Sequence, residues 1–531
     1  MKRVARSCVS ALLVWATLGG SLSGCAVSEN DVHKWEGTVH GPEKLVAVVT
    51  HDKYRPDLRK EAAMSLIRMP PRGGTRQGIK LLIDKHKDES GEEREGALTG
   101  LAEETRMKII DLMAPELIAE LQKPPPARTD GRAAADPTVP YKDVTFAMLV
   151  HEPPLVTKAE TREKLEAALV QWAQTGFEDR IENSSQQFGL EQMMRTLGPR
   201  TATKLPSLIT ESATRVDRMS SLIAEIGDAD TKVKGAEALV ALAKRIETND
   251  WVEGQRKFVA DYNKRQNVTA TPEQVAGQVK TMQDRKFKEE LFPAMKKLGQ
   301  KPITEYLYAQ AATGTTEERR TLALAALEGK PDKNNPQDLE RLFAIAKDDA
   351  TPDGVRDLAF ARLAELPKEQ ILPKLYTLFE PKKWKVRWVA ASLVLKTITT
   401  KQVPEFMGRL PKTSKVKSGM TEGLSYGGLI SKMEPTGGDP KPRDVLMPFL
   451  TSPSFGARMT ALGSFYEGKK ADIPLLKRFE EDKEALPKCD KEDDCAWACA
   501  VPKAGTAEKE MKEISTVGEL VKLCIEPSMD K

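Results

Sequence analysis

Apolar residues recur every three to four positions along most of the chain beyond residue 43, the spacing that places them on one face of a helix. Four stretches share a tighter pattern: an apolar residue, then arginine, a small residue four places after the first, and an apolar residue eight places after it. They are Leu58-Arg59 with Ala62 and Leu66, Val355-Arg356 with Ala359 and Leu363, Val386-Arg387 with Ala390 and Val394, and Ala457-Arg458 with Ala461 and Phe465. Positions i, i+4 and i+8 lie on one helix face, and a small residue in the middle lets a neighbouring helix approach. Apolar-rich segments precede two of these helices: Pro42 to Val49 leads into the first and Leu372 to Phe379 into the third, with Leu205 to Ile209 similar in character. The pattern predicts an all-α fold of helix pairs.

Helix pairs with this signature resemble the HEAT repeat family, in which antiparallel pairs stack side by side into a superhelix. The resemblance is specific at the four arginine-bearing helices and looser elsewhere, as around Val233-Lys234 with Ala236, Leu239 and Val240. The step of 31 residues from Val355 to Val386 is shorter than the roughly 40–47 usual for such units, which points to the short HEAT-like variants. The resemblance implies a HEAT-like α-solenoid whose core comes from stacked neighbours and whose ends need caps. Val252 to Gln266 and Arg285 to Lys297 are helical but fit the repeat poorly, with Pro293 kinking the second, so an irregular middle is expected. Residues 123–140, which include Pro124-Pro125-Pro126 and Ala133-Ala134-Ala135, read as a surface loop between subdomains. The expected order is N-terminal helix pairs over 43–122, that Pro/Ala-rich loop, a solenoid over 141–480 and a cysteine-containing cap over 481–531.

Ahead of the helices the pattern changes. Lys2, Arg3 and Arg6 form a basic start, Val9 to Leu18 an apolar run too short to span a bilayer, and Gly19, Gly20 and Ser21 a helix break. Leu22-Ser23-Gly24-Cys25 follows at once, short residues ending in a cysteine. This resembles the lipobox of bacterial lipoproteins, whose cysteine thiol is diacylated, whose preceding peptide is removed and whose new N-terminus is usually acylated as well. The resemblance implies a signal peptide over 1–24 and a covalent lipid, palmitate among its chains, on Cys25. A single chain, at about 0.8 kcal/mol per buried CH₂, binds only marginally, whereas two or three anchor stably. Ala26, where aspartate would direct retention at the inner membrane, favours the outer membrane of the bacterial envelope by the same resemblance. The nearest rival is an ordinary secretory signal in which Cys25 is a bystander. Ser28 to Pro42, with Trp35, reads as a polar tether that completes a lipidated segment over 25–42 and reaches roughly 50 Å when extended.

At 531 residues the chain is too long for one compact core. Charged residues make up 30% and aromatics only 5%, a balance rich in Ala, Leu, Lys and Glu that favours helix over strand. The formal net charge of +4 falls to +1 once a leader bearing Lys2, Arg3 and Arg6 is removed. A near-neutral chain lacks the electrostatic footprint of a nucleic-acid binder, so no nucleic-acid partner is expected.

Between Cys25 and the tail there is no cysteine, and then Cys489, Cys495, Cys499 and Cys524 arrive together. In an exported protein such an even cluster reads as disulfides, with three connectivities open. Cys495 and Cys499 are expected one turn apart on a helix, a poor geometry for a mutual bond, which favours Cys489–Cys495 and Cys499–Cys524. A zinc site is the rival, opposed by the spacing and by an oxidising compartment. Asp490, Glu492, Asp493 and Asp494 crowd one turn but lack the central glycine and terminal glutamate of an EF-hand loop, so a solvated turn is favoured over a calcium site.

Three stretches approach catalytic motifs and fall short. Gly423-Leu424-Ser425-Tyr426-Gly427 matches a nucleophile elbow, yet none of His33, His40, His51, His86 and His151 follows Ser425 to take its proton. Gly463 to Lys470 nearly spells a phosphate-binding loop, with Lys470 where a Mg²⁺-holding hydroxyl belongs. His151-Glu152-Pro153-Pro154 opens like a metalloprotease helix that its prolines forbid. No catalytic residue, metal or cofactor beyond the lipid is therefore expected. The surface candidate is the basic turn Lys382, Lys383, Trp384 and Lys385, where charge and an indole could engage an anion, a glycan or a partner acid. The expected function is an anchored, non-catalytic scaffold for a protein or peptide partner. An envelope enzyme with a carboxylate-based site, or an inert structural component, are the rival readings.

Overall fold

A computed structural model of the chain describes residues 27–71, 76–87, 91–128, 134–182, 186–211, 213–380, 383–412, 416–466, 468–488, 497–502 and 508–529. Leu22, Ser23, Gly24 and Cys25 lie outside the described residues, as do Lys382, Cys489, Cys495 and the acidic turn 490–494. Helix accounts for 67% of the structure and strand for 4%, so the fold is all-α. The chain forms two compact units that divide between Lys204 and Leu205.

In the first unit the helices Gly41–Thr50 and Pro56–Arg68 pack on each other, and Glu103–Leu121 packs on the second of them. Both of the first pair carry proline in the opening turn, where its missing N–H would have no helical partner anyway. Val139–Val150 is buried on nearly every side, with Val144, Phe146 and Met148 among the apolar core. Its Lys142 and Asp143 are fully buried and pair with each other at 2.6 Å. Asp143 also accepts from the backbone N–H of Gln187 (2.9 Å) and Phe188 (3.2 Å), so neither charge is left unpaired in a dry interior.

Two sequence expectations change here. Residues 28–42 are not a free tether: Glu29–Trp35 is a helix closed by a capping box, in which Asp31 N–H donates to Ser28 Oγ and Ser28 N–H donates to Asp31 Oδ2 (3.0 Å). Val32 is fully buried, and Glu36 accepts from Ser65 Oγ (2.6 Å) and Arg68 Nε (3.1 Å), which fastens this segment to the Pro56–Arg68 helix. Nor does the Pro/Ala-rich segment 123–140 separate subdomains. Its end is locked inside the first unit, because the buried Arg180 donates to Asp136 Oδ2 (3.0 Å) and to the Lys123 carbonyl (2.8 Å), while Trp172 Nε1 donates to Thr138 Oγ1 (2.7 Å).

The second unit opens with the short helix Leu205–Leu208, then Val216–Ile226 and Ala229–Ile246, followed by a long helical hairpin, Asn249–Arg265 and Pro272–Arg285. Pro293 falls in the first turn of Phe292–Leu298, behind a widened π-type turn over Lys286–Leu291 that absorbs the missing donor. Glu317–Ala326, Asp353–Leu363, Trp384–Thr397, Lys417–Ser431 and Phe455–Gly463 then form a row in which each helix packs on the next. Lys301–Thr313 and Pro336–Lys347 pack on each other and on members of the row.

The arginine of the sequence signature has a physical role in this arrangement. The last carbonyls of a helix have no partner within it. Arg59 Nε donates to the Val49 carbonyl (2.8 Å) at the end of Gly41–Thr50, and Arg356 donates to the carbonyls of Ala346 (3.2 Å), Asp348 (3.0 Å) and Thr351 (2.8 Å) at the end of Pro336–Lys347. Arg458 Nη1 reaches the Ser452 carbonyl at 2.7 Å. A fifth helix does the same, for Arg320 Nε donates to the Ala311 carbonyl (2.9 Å) while Ala323 and Leu327 are buried. Arg319 stands where the signature has an apolar residue, which hides this instance in the sequence. Arg387 pairs with Glu422 (2.8 Å).

The C-terminal part corrects a third expectation. Cys499 is not on a helix: Trp497–Pro502 is a strand paired antiparallel with Lys509–Ile514, Cys499 lying opposite Lys512. Trp497, Cys499 and Val501 alternate toward the core, the period-two signal of a half-buried strand. Cys499 bonds Cys524 across a separation of 25 residues, joining this ribbon to the final helical turns.

Candidate functional site

Glycines make a close helix contact in the second unit. A Cβ at Gly427 would fall 2.1 Å from the Thr460 carbonyl oxygen, and one at Gly463 would fall 2.2 Å from that of Leu424. The elbow-like stretch Gly423 to Gly427 is thus a packing device within Lys417–Ser431, and its glycines rather than Ser425 make the contact.

Beside that contact lies a cavity of about 600 Å³. Ser425 and Gly428 line it from one helix, Ser464 and Lys469 from the turn after Phe455–Gly463, and Trp497 from the start of the strand. The two rejected motifs therefore converge, without a catalytic constellation: among the described residues no histidine lines the cavity, and the charged ones that do are Lys432 and Lys469.

The basic turn is largely committed to structure. Lys383 donates to the Asp349 carbonyl and Lys385 pairs with Asp353, tying the turn to the preceding part of the row. Trp388 stacks on Tyr426 with ring centroids 5.3 Å apart and planes 9° from parallel. Tyr426 donates to Glu422, and burial, then the neighbouring carboxylate, pushes its phenol well above the usual range. Among the described candidates Lys383, Trp384 and Lys385 all stay exposed, Trp384 at 45%.

A groove that sequence reasoning missed runs along the hairpin 249–285. It has a volume of about 860 Å³, and Phe258, Tyr262, Val268 and Met282 line it while remaining 53, 51, 52 and 39% exposed. Phe258 and Tyr262 are spaced i, i+4, so the signal was there, but helical spacing alone does not distinguish a core face from an open one.

Two carboxylates converge elsewhere, at Glu480 and Glu526. Burial foremost, and then Glu480, raises Glu526, whereas a hydrogen bond from Lys477 foremost keeps Glu480 below its usual value. In the first unit burial likewise holds Lys142 below the usual lysine range, against the pull of Asp143. Among the described residues no cluster of histidine, cysteine and carboxylate side chains is placed to hold a metal, and no helix is long and apolar enough to cross a membrane. A scan against protein-family models finds no match to this chain, and a search of curated proteins finds none either.

Proposed function

We propose that this protein is a lipoprotein of the bacterial cell envelope, anchored through acyl chains on Cys25, and that it serves as a non-catalytic scaffold for a protein partner. The anchor rests on Leu22-Ser23-Gly24-Cys25 and the basic and apolar stretches ahead of it. The outer membrane is the favoured site, by the same resemblance. The row of packed helices, with Arg320, Arg356 and Arg458 capping neighbouring carbonyls, supports a HEAT-like reading of the second unit, in which neighbouring pairs supply one another's core.

The observation that carries the scaffold role is the open apolar groove of the hairpin. Contiguous apolar surface of this kind is costly to leave in water and marks interaction sites. The partner that fits is a protein segment presenting an apolar helix face, which would complete a three-helix packing with Asn249–Arg265 and Pro272–Arg285.

Crosslinking in intact cells with the full-length protein tests both parts. Cys25→Ala is expected to abolish palmitate labelling and move the protein to the soluble fraction; retained labelling would remove the anchor. Phe258→Ser with Tyr262→Ser is expected to lose a crosslinked neighbour seen with the wild type while the melting temperature is kept. An unchanged crosslinking pattern would remove the groove from the reading.

A further inference from the structure

We infer that the cavity beside the Gly427–Gly463 contact is a binding site for a small anionic sugar, a ring bearing a carboxylate or a phosphate. The inference concerns a different site from the hairpin groove and does not depend on the lipid anchor. The volume of about 600 Å³ falls within the range of roughly 300–1,000 Å³ typical of small-molecule sites.

The lining specifies the chemistry. Among the described residues Lys432 and Lys469 are the charged groups that line the cavity, and neither has an ion-pair partner there. Two ammonium groups lining one concavity can donate charge-assisted hydrogen bonds to an anion bound there. Trp497 and Tyr466 contribute aromatic rings, which suit the apolar face of a sugar ring. Ser431 and Ser464 donate to backbone carbonyls of their own helix or turn (2.8 and 2.6 Å), which leaves their oxygens as acceptors for ligand hydroxyls. Gly428 completes the site: a Cβ there would meet nothing within 4 Å, so the backbone is open to the cavity.

The site holds together because the fold requires it to. Gly427 and Gly463 fix the spacing of the two helices, and the Cys499–Cys524 bond ties the strand that carries Trp497 to the terminal helical turns.

Calorimetric titration of the full-length protein with glucuronate, glucose 6-phosphate, glucose and inorganic phosphate tests the inference. Either anionic sugar is expected to bind at least ten-fold more tightly than glucose and than phosphate. A preference for one anionic sugar identifies which acid the site takes. Lys432→Gln with Lys469→Gln should weaken that binding ten-fold or more. Gly428→Leu should project a side chain into the cavity and weaken binding ten-fold or more while the melting temperature stays within a few degrees of the wild type. Failure of both anionic sugars to bind, inorganic phosphate binding as tightly as either, or wild-type affinity in Gly428→Leu would each overturn the assignment.

Discussion

Arg356 spends its guanidinium on three carbonyls and on Asp353 while only 1% exposed. Truncation would strand those acceptors in a dry site, at about 1–3 kcal/mol for each one left unsatisfied. Arg356→Ala is therefore expected to lower the stability of the second unit by about 3 kcal/mol, read from the urea midpoint, and Arg356→Lys to recover only part of it, since one ammonium cannot span the fork. The sequence announced this residue by its recurrence, but it could not announce the role, because the carbonyls that Arg356 caps belong to another helix. Glu526 offers a test by pH. Its carboxyl binds a proton more tightly folded than unfolded, so its contribution to stability is present in acid and is lost as pH rises through the folded value toward neutrality. Glu526→Gln is expected to raise the melting temperature at pH 7, and that advantage should vanish near pH 4.

At the scale of elements, the glycines of Lys417–Ser431 allow a close approach to Phe455–Gly463. Gly427→Ala must push the helix off the Thr460 carbonyl and is expected to lower the melting temperature by several degrees, in keeping with the roughly 1–3 kcal/mol typical of overpacking, whereas Gly428→Ala on the same helix should be close to neutral. Circular dichroism melts of the two variants make the comparison. Helices were legible wherever apolar residues kept their period and a small residue marked the middle, as at Ala62, Ala359, Ala390 and Ala461. The strand at Trp497–Pro502 was not, since three alternating inward residues are too few to outweigh a helical prior. The short helix at Glu29–Trp35 was readable in principle from Ser28 and Asp31, but its polar surface disguised the one buried residue, Val32. The cavity was half legible: its glycines and Lys469 stood out as fragments of motifs, while their meeting place depended on packing that no local pattern encodes.

At the scale of the molecule, each unit has a core of its own, with Leu66, Ile110 and Trp172 buried in the first and Phe455, Met459 and Leu520 in the second. Residues 27–204 expressed alone are expected to melt cooperatively with a helical spectrum; a broad, featureless transition would show that the division at Lys204 is not a folding boundary. The capped helix at Glu29–Trp35 also bears on where the protein can work. If Cys25 carries the acyl chains, three peptide units join it to Ser28, a leash of roughly 11 Å at full stretch. The first unit would then ride against the lipid headgroups instead of ranging outward, and only molecules that come to that surface would fall within its grasp.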